Sequence, residues 1–167
     1  LGVESDTEKR FSGQRSWNPD VSIQGWRYHM SDLMAAIGKE QLSNFSFHKI
    51  RRQELAKSYI AHLEKISSIT MFTHDYNEVV PHIFVIILDE GIDRGRLIKR
   101  LSDNGVPVGI HYKPNHLLSY FSTGCDETLP VTDTLYPRLL TLPLHPDLSA
   151  TDIAFIVREL KEGIENV

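Results

Sequence analysis

One cysteine, Cys125, is all the thiol chemistry in this 167-residue chain. It excludes an intrachain disulfide and fits a reducing compartment, so a cytoplasmic location is expected. Its neighbours Thr123, Gly124, Asp126 and Glu127 are poor activators of a thiolate, and Cys125 is not expected to be a nucleophile. Long apolar runs are missing too. The longest, Ile83 to Leu88, suits a buried strand and not a membrane span. No signal peptide is visible, and the polar stretch from Glu4 to Pro19 reads as a tail or the cut end of something longer. Positive charge is not in excess: 18 Lys and Arg stand against 22 Asp and Glu, a net charge of -4. That argues against a general polyanion binder, which needs a broad positive field. The basic group Lys49, Arg51 and Arg52 reads as a solvated helix face.

Familiar site motifs are also missing. There is no G-x-x-x-x-G-K-[ST], no G-x-G-x-x-G, no H-E-x-x-H, no C-x-x-C and no G-x-S-x-G. Of eight histidines, only His111 and His116 lie close together on a loop-like stretch. Two imidazoles without a nearby Cys, Asp or Glu make a poor zinc site, and no metal is expected.

What is present is mostly helix. From Ser31, the residues Leu33, Met34, Ile37, Leu42 and Phe45 recur at helical spacing, with Ala35, Ala36 and Gly38 among them. Leu55, Ala56, Tyr59, Ile60, Leu63 and Ile66 repeat the pattern, with Arg51, Arg52, Glu54, Lys57 and Glu64 on the other side. His82 to Leu88 reads as a strand buried on both faces. Asp93 is placed to cap a helix running to about Asn104, and Gly105 to end it. Val106 to Lys113 alternates as a strand would, and Pro107 favours an edge over a central position. A short helix is expected from Pro130 to Leu140, then an extended link from Thr141 to Pro146. Ser149 and Asp152 have capping-box spacing ahead of the stripe Ile153, Ile156, Val157, Leu160 and Ile164. The expected order is helix, helix, strand, helix, strand, helix, helix. That is a small α/β, or α+β-like, layer structure: helices cover one face of a short sheet, and a long helical hairpin leads the chain.

Two segments carry candidate chemistry. In Gly25-Trp26-Arg27-Tyr28-His29-Met30-Ser31-Asp32, the guanidinium of Arg27 is suited to a phosphate. The competing reading makes Trp26 and Tyr28 core anchors and Arg27 a surface residue. In Gly109-Ile110-His111-Tyr112-Lys113-Pro114-Asn115-His116, polar, ring-bearing and cationic groups crowd a strand end and its turn. Tyr112, Lys113, Asn115 and His116 could bind an anionic polar ligand such as a sugar nucleotide. A solvated turn is the alternative.

These segments resemble stretches of the DegT/DnrJ/EryC1/StrS aminotransferase family. GWRYHMSDLMAAIGKEQL resembles its G-x-N-Y-R-M-x-D-x-x-A-A-I-G-x-x-Q-L, and PHIFVI its H-x-F-V-I strand. GIHYKPNHLLSYF is similar to its G-I-x-x-x-Y-x-P-x-H segment, and LTLPLHPDLSATD to its L-x-L-P-L-H-P-x-L-S-x-x-D. The four matches run in order from Gly25 to Asp152, a specific signal together and a weak one singly.

The resemblance implies the C-terminal part of a fold type I pyridoxal-phosphate (PLP) transferase. It implies an extended end of the large domain over 1–30 and a small domain over 31–167. Family members are usually homodimers that move an amino group, typically from glutamate, onto a keto sugar carried on a nucleotide. Arg27 would then reach the PLP phosphate of the partner subunit, although the family often has Asn there and an Arg where this chain has His29. Tyr112, Lys113 and His116 are implied as substrate-side residues. The family's Schiff-base lysine, its pyridine-pairing Asp and its ring-stacking residue all precede the segment matching GWRYHM. Here only Leu1 to Gln24 precede it, and Lys9 is their one lysine, in a context unlike the family's lysine motif. PLP chemistry needs that lysine to hold the cofactor as an imine and to shuttle protons. The expectation is therefore a C-terminal portion with no catalytic residue of its own, inactive alone. The reading weighed against it is a noncatalytic sugar-nucleotide-binding or assembly domain.

Overall fold

A computed structural model describes residues 24–26, 28, 30–122 and 129–166. The chain divides into two compact units, Leu1–Asn44 and Phe45–Val167.

In the first unit, helix α1 spans Asp32–Ser43. The Ser31 side chain accepts from the Met34 N–H at 3.3 Å, which satisfies one of the free donors of the first turn. Its apolar residues Leu33, Met34, Ile37 and Leu42 are exposed.

The second unit holds the core. Helix α2 (Phe45–Leu63) buries Leu55, Ala56, Tyr59 and Leu63, the spacing read from the sequence. Strands β1 (Ile69–Met71) and β2 (Phe84–Leu88) follow, then helix α3 (Arg94–Asp103). A 3-10 turn at Asn115–Leu117 leads into the short helices α4 (Ser119–Ser122) and α5 (Pro130–Leu135). After a second 3-10 turn at Tyr136–Arg138 come strand β3 (Leu139–Leu142) and helix α6 (Ala150–Glu165).

The sheet is antiparallel with order β1-β2-β3. Its register pairs Ile69 with Leu88, Ile86 with Leu140 and Phe84 with Leu142. Strand periodicity therefore puts Phe84, Ile86, Leu88, Leu140 and Leu142 on one face. They share one core with Leu55 and Tyr59 of α2, Leu97 and Leu101 of α3, and Ile153, Ile156 and Leu160 of α6. Helix α6 packs on both α2 and α3.

The helix ends follow local chemistry. Asp93 accepts from the Arg96 N–H at 3.0 Å and starts α3. Gly105, at φ +79°, closes it: its N–H reaches the Ser102 carbonyl, and the Val106 N–H reaches the Leu101 carbonyl. This paired C-terminal motif needs a left-handed residue, which glycine adopts without steric cost. Ser149 and Asp152 form the expected reciprocal capping box on α6.

Three elements differ from the sequence reading. Val106 to Lys113 is not a strand; only Gly109 bridges to Thr141. Pro107 removes one ladder donor, and a four-residue β3 offers little edge to pair with. The helix begun at Pro130 stops at Leu135, because Pro137 lacks the N–H that an α-turn requires; Leu139 to Leu142 form a strand instead. The three-residue β1 carries too little pattern to be read beforehand.

Arg51 and Arg52 also differ from a solvated face. Arg52 donates to the carbonyls of Pro81, His82 and Leu144 at 3.4, 3.1 and 3.1 Å. Arg51 donates to the carbonyls of Pro146 and Leu148. Both guanidinium groups tie loops onto α2, work that a planar five-donor group suits.

Candidate functional site

Arg27 and His29 lie outside the described residues. Their neighbours Trp26 and Tyr28 are 66% and 86% exposed, so neither is a core anchor.

The second segment is built on the edge of β3. Gly109 and Thr141 exchange both backbone hydrogen bonds, at 3.0 and 2.8 Å. The approach is close: a Cβ at position 109 would lie 2.9 Å from Cε1 of the His111 ring, so that ring would have to shift. His111 folds back over Gly109 and meets the Tyr112 ring edge-on, with centroids 4.8 Å apart. The His111-Tyr112 peptide is cis. Two buried polar atoms here, Nδ1 of His111 and Oγ1 of Thr141, have no hydrogen-bond partner. Tyr112 and Lys113 are exposed beyond this bridge. The structure thus places Tyr112 and Lys113 where a ligand can reach them.

His116 sits one turn further on, in the Asn115–Leu117 3-10 turn, and its side chain is only 14% exposed. Its Nε2 lies 2.7 Å from Oδ1 of Asp133, on α5. The other carboxylate oxygen of Asp133 accepts from the Leu129 N–H at 3.3 Å, where α5 begins. Asp133 is the residue of this site that sequence reasoning missed. It lies 17 positions from His116, and nothing in the local pattern links the two.

The segment Gly109 to His116 is therefore held at two points: the bridge to β3 at one end, the Asp133 carboxylate at the other. Along it the chain carries a phenol, an ammonium and an imidazole. That set suits an anionic, hydroxyl-rich ligand. It does not suit a transition metal. Among the described residues no three His, Cys, Asp or Glu side chains gather to hold a metal ion. Among the described residues no helix is long and apolar enough to cross a membrane.

Nor do the described residues alone fit PLP. Lys49 is half-buried and the other lysines among them are exposed. A cleft of about 340 Å³ beside Phe72, His74, Tyr76 and His82 has no Lys or Arg in its lining. Another, of about 380 Å³, includes Lys99, which is already paired with Asp103 at 2.9 Å. An imine-forming lysine needs a site that encloses the ring and tunes the amine, and neither cleft supplies one.

The fold and the ordered motifs define the class. The model of the DegT/DnrJ/EryC1/StrS aminotransferase family matches residues 1–161, and the chain belongs to that family. A spore coat polysaccharide biosynthesis protein, SpsC of Bacillus subtilis, is 30% identical over 98% of this chain and 44% of its own length. Among solved structures, Spr1654 of Streptococcus pneumoniae in its PMP form superposes with a TM-score of 0.85 at 27% identity, covering 98% of this chain and 42% of that one. The aminotransferase TlmJ of Streptoalloteichus hindustanus gives 0.78 at 26% identity, over 99% of this chain and 42% of its own. The fold is thus that of a portion of a fold type I sugar aminotransferase, and the chain spans less than half the length of these relatives.

Proposed function

We propose that this chain is the C-terminal portion of a PLP-dependent aminotransferase that acts on a nucleotide-linked keto sugar, and that it does not turn over alone. The observation that carries this reading is a family match along nearly the whole chain, at less than half the length of its relatives.

On this reading the chain supplies the substrate side of the site. Lys113, exposed and cationic, faces the diphosphate of the sugar nucleotide, where an ammonium attracts phosphate oxygens strongly. Tyr112 offers a ring and a hydroxyl beside it. His116, oriented by Asp133, faces a sugar hydroxyl. Arg27 holds the PLP phosphate of a partner subunit in a homodimer, an assignment that rests on motif position. The cofactor would supply the carbanion-stabilising chemistry; the lysine that anchors it belongs to another part of the enzyme.

PLP titration, borohydride reduction and intact-mass analysis test the proposal. The expected result is no adduct beyond that of an unrelated lysine-bearing control. A stoichiometric adduct on one lysine would overturn it and make Lys9 or Lys113 the residue to map.

A further inference from the structure

The Asp133–His116 pair has a consequence for which hydrogen-bonding face of the imidazole remains for a ligand. The separation of 2.7 Å is that of a strong hydrogen bond to a charged acceptor. An ionised carboxylate accepts and never donates, so the hydrogen between them belongs to the ring nitrogen Nε2. In a neutral imidazole one nitrogen donates and the other accepts. Nδ1 must then be the bare acceptor. The ring meets Asp133 through Nε2, which leaves Nδ1 as the nitrogen turned away from that carboxylate.

We propose that Asp133 is a positioning residue that locks His116 in the Nε2–H tautomer, so that Nδ1 accepts a hydrogen bond from a ligand hydroxyl. Two observations support a clamp and not a chance surface pair. The His116 side chain is largely covered, which restricts its rotation. Asp133 is itself fixed, because its second oxygen holds the Leu129 N–H and its own N–H donates to the Leu129 carbonyl at 2.8 Å. An acceptor at Nδ1 selects for ligands that bring a donor to this point. A hydroxyl does so; a carbonyl or ether oxygen does not. The specificity would follow from the cost of leaving a polar group without its partner once a ligand displaces water from it. The ligand half of this inference rests on the substrate-side reading of His116; the tautomer half does not.

The test is two-bond ¹H–¹⁵N correlation NMR of the ¹⁵N-labelled chain at pH 8 without ligand, with His116→Gln identifying the signals of that ring. The expected wild-type pattern is one tautomer, hydrogen on Nε2 and Nδ1 unprotonated. Asp133→Ala should relax it to a mixture. Asp133→Asn, whose amide oxygen still accepts, should restore the wild-type pattern, which a merely structural role would not require. A wild-type ring with its hydrogen on Nδ1, or an unchanged tautomer in Asp133→Ala, would overturn the proposal. Failure of the substrate-side reading looks different: UDP-glucose would leave the His116 resonances unmoved while the ligand-free tautomer stands.

Discussion

Arg52 is charged, sits among neighbouring basic residues on a helix, and makes three bonds to main-chain carbonyls of two separate loops. A hydrogen bond from a charged donor contributes about 1.5–3 kcal/mol when well formed. Here the group is only half-buried and one carbonyl, that of His82, lies where water can replace it. Arg52→Met keeps the apolar stem and removes the donors. It should lower stability by about 2 kcal/mol, read as a lower urea midpoint at unchanged slope. An unchanged midpoint would mean that water serves the three carbonyls equally well. Tyr59 shows the same economy in the core. Its ring stacks on Phe84 with centroids 4.8 Å apart, and its hydroxyl donates to the Pro143 carbonyl at 2.8 Å. Burial, and secondarily the charge of Asp152, pushes its phenol well above the ordinary range, so it stays a donor at any working pH. The sequence showed Tyr59 as a core position but not its bond. The partner lies 84 residues away, and period carries no information about such pairs.

At the scale of elements, the helices were legible because caps and stripes are local. Ser149 with Asp152, Asp93, and Gly105 all act within one turn, where the sequence displays every participant. Strands were less so. Val106 to Lys113 alternates as a strand should, yet a strand needs a partner edge, and alternation says nothing of whether one exists. Helix α6 offers a sharper case. Its apolar stripe was visible, but Gly163 was not marked, and a Cβ there would stand 2.6 Å from Cδ1 of Leu97 on α3. Alanine would gain about 1 kcal/mol in helix propensity. Overpacking costs about 1–3 kcal/mol, and Leu97 is fully buried with little room to rotate. Gly163→Ala should therefore lose about 1 kcal/mol net, seen as a lower melting temperature. Gly38→Ala, with nothing within 4 Å of the new methyl, should instead raise it. A gain at both positions would mean that α3 and α6 can move apart.

For the whole molecule, acid is the informative variable. Hydrogen bonds from Ser149, first its side chain and then its backbone, hold Asp152 below the usual carboxylate range. Arg158, and then Asn104, does the same for Glu159. A depressed native carboxylate binds protons less readily than the unfolded chain does. Its contribution is complete above the unfolded values of about 4 and is lost as pH falls through the lower native values. Urea midpoints should therefore be flat from pH 7 to about 5 and fall below about 4. Ser149→Ala should make that fall shallower. A midpoint that rises on acidification would show that neither carboxylate stabilises the fold. The family was readable at this scale from four short motifs in order, whereas Asp133 was not, since its role exists only once α5 is folded beside His116.

The span from Gly109 to His116 can be regarded as a cable strung between two piers. One pier is a pair of main-chain bonds to β3, the other a single carboxylate on α5. Cable length is then set by the distance between piers, and an insertion or deletion within it would pull one of them loose. Side-chain identity carries no such constraint at the exposed positions 112 and 113. A lineage, or an engineer, can exchange Tyr112 and Lys113 for other groups and leave the suspension intact, which separates what the segment recognises from how it is held.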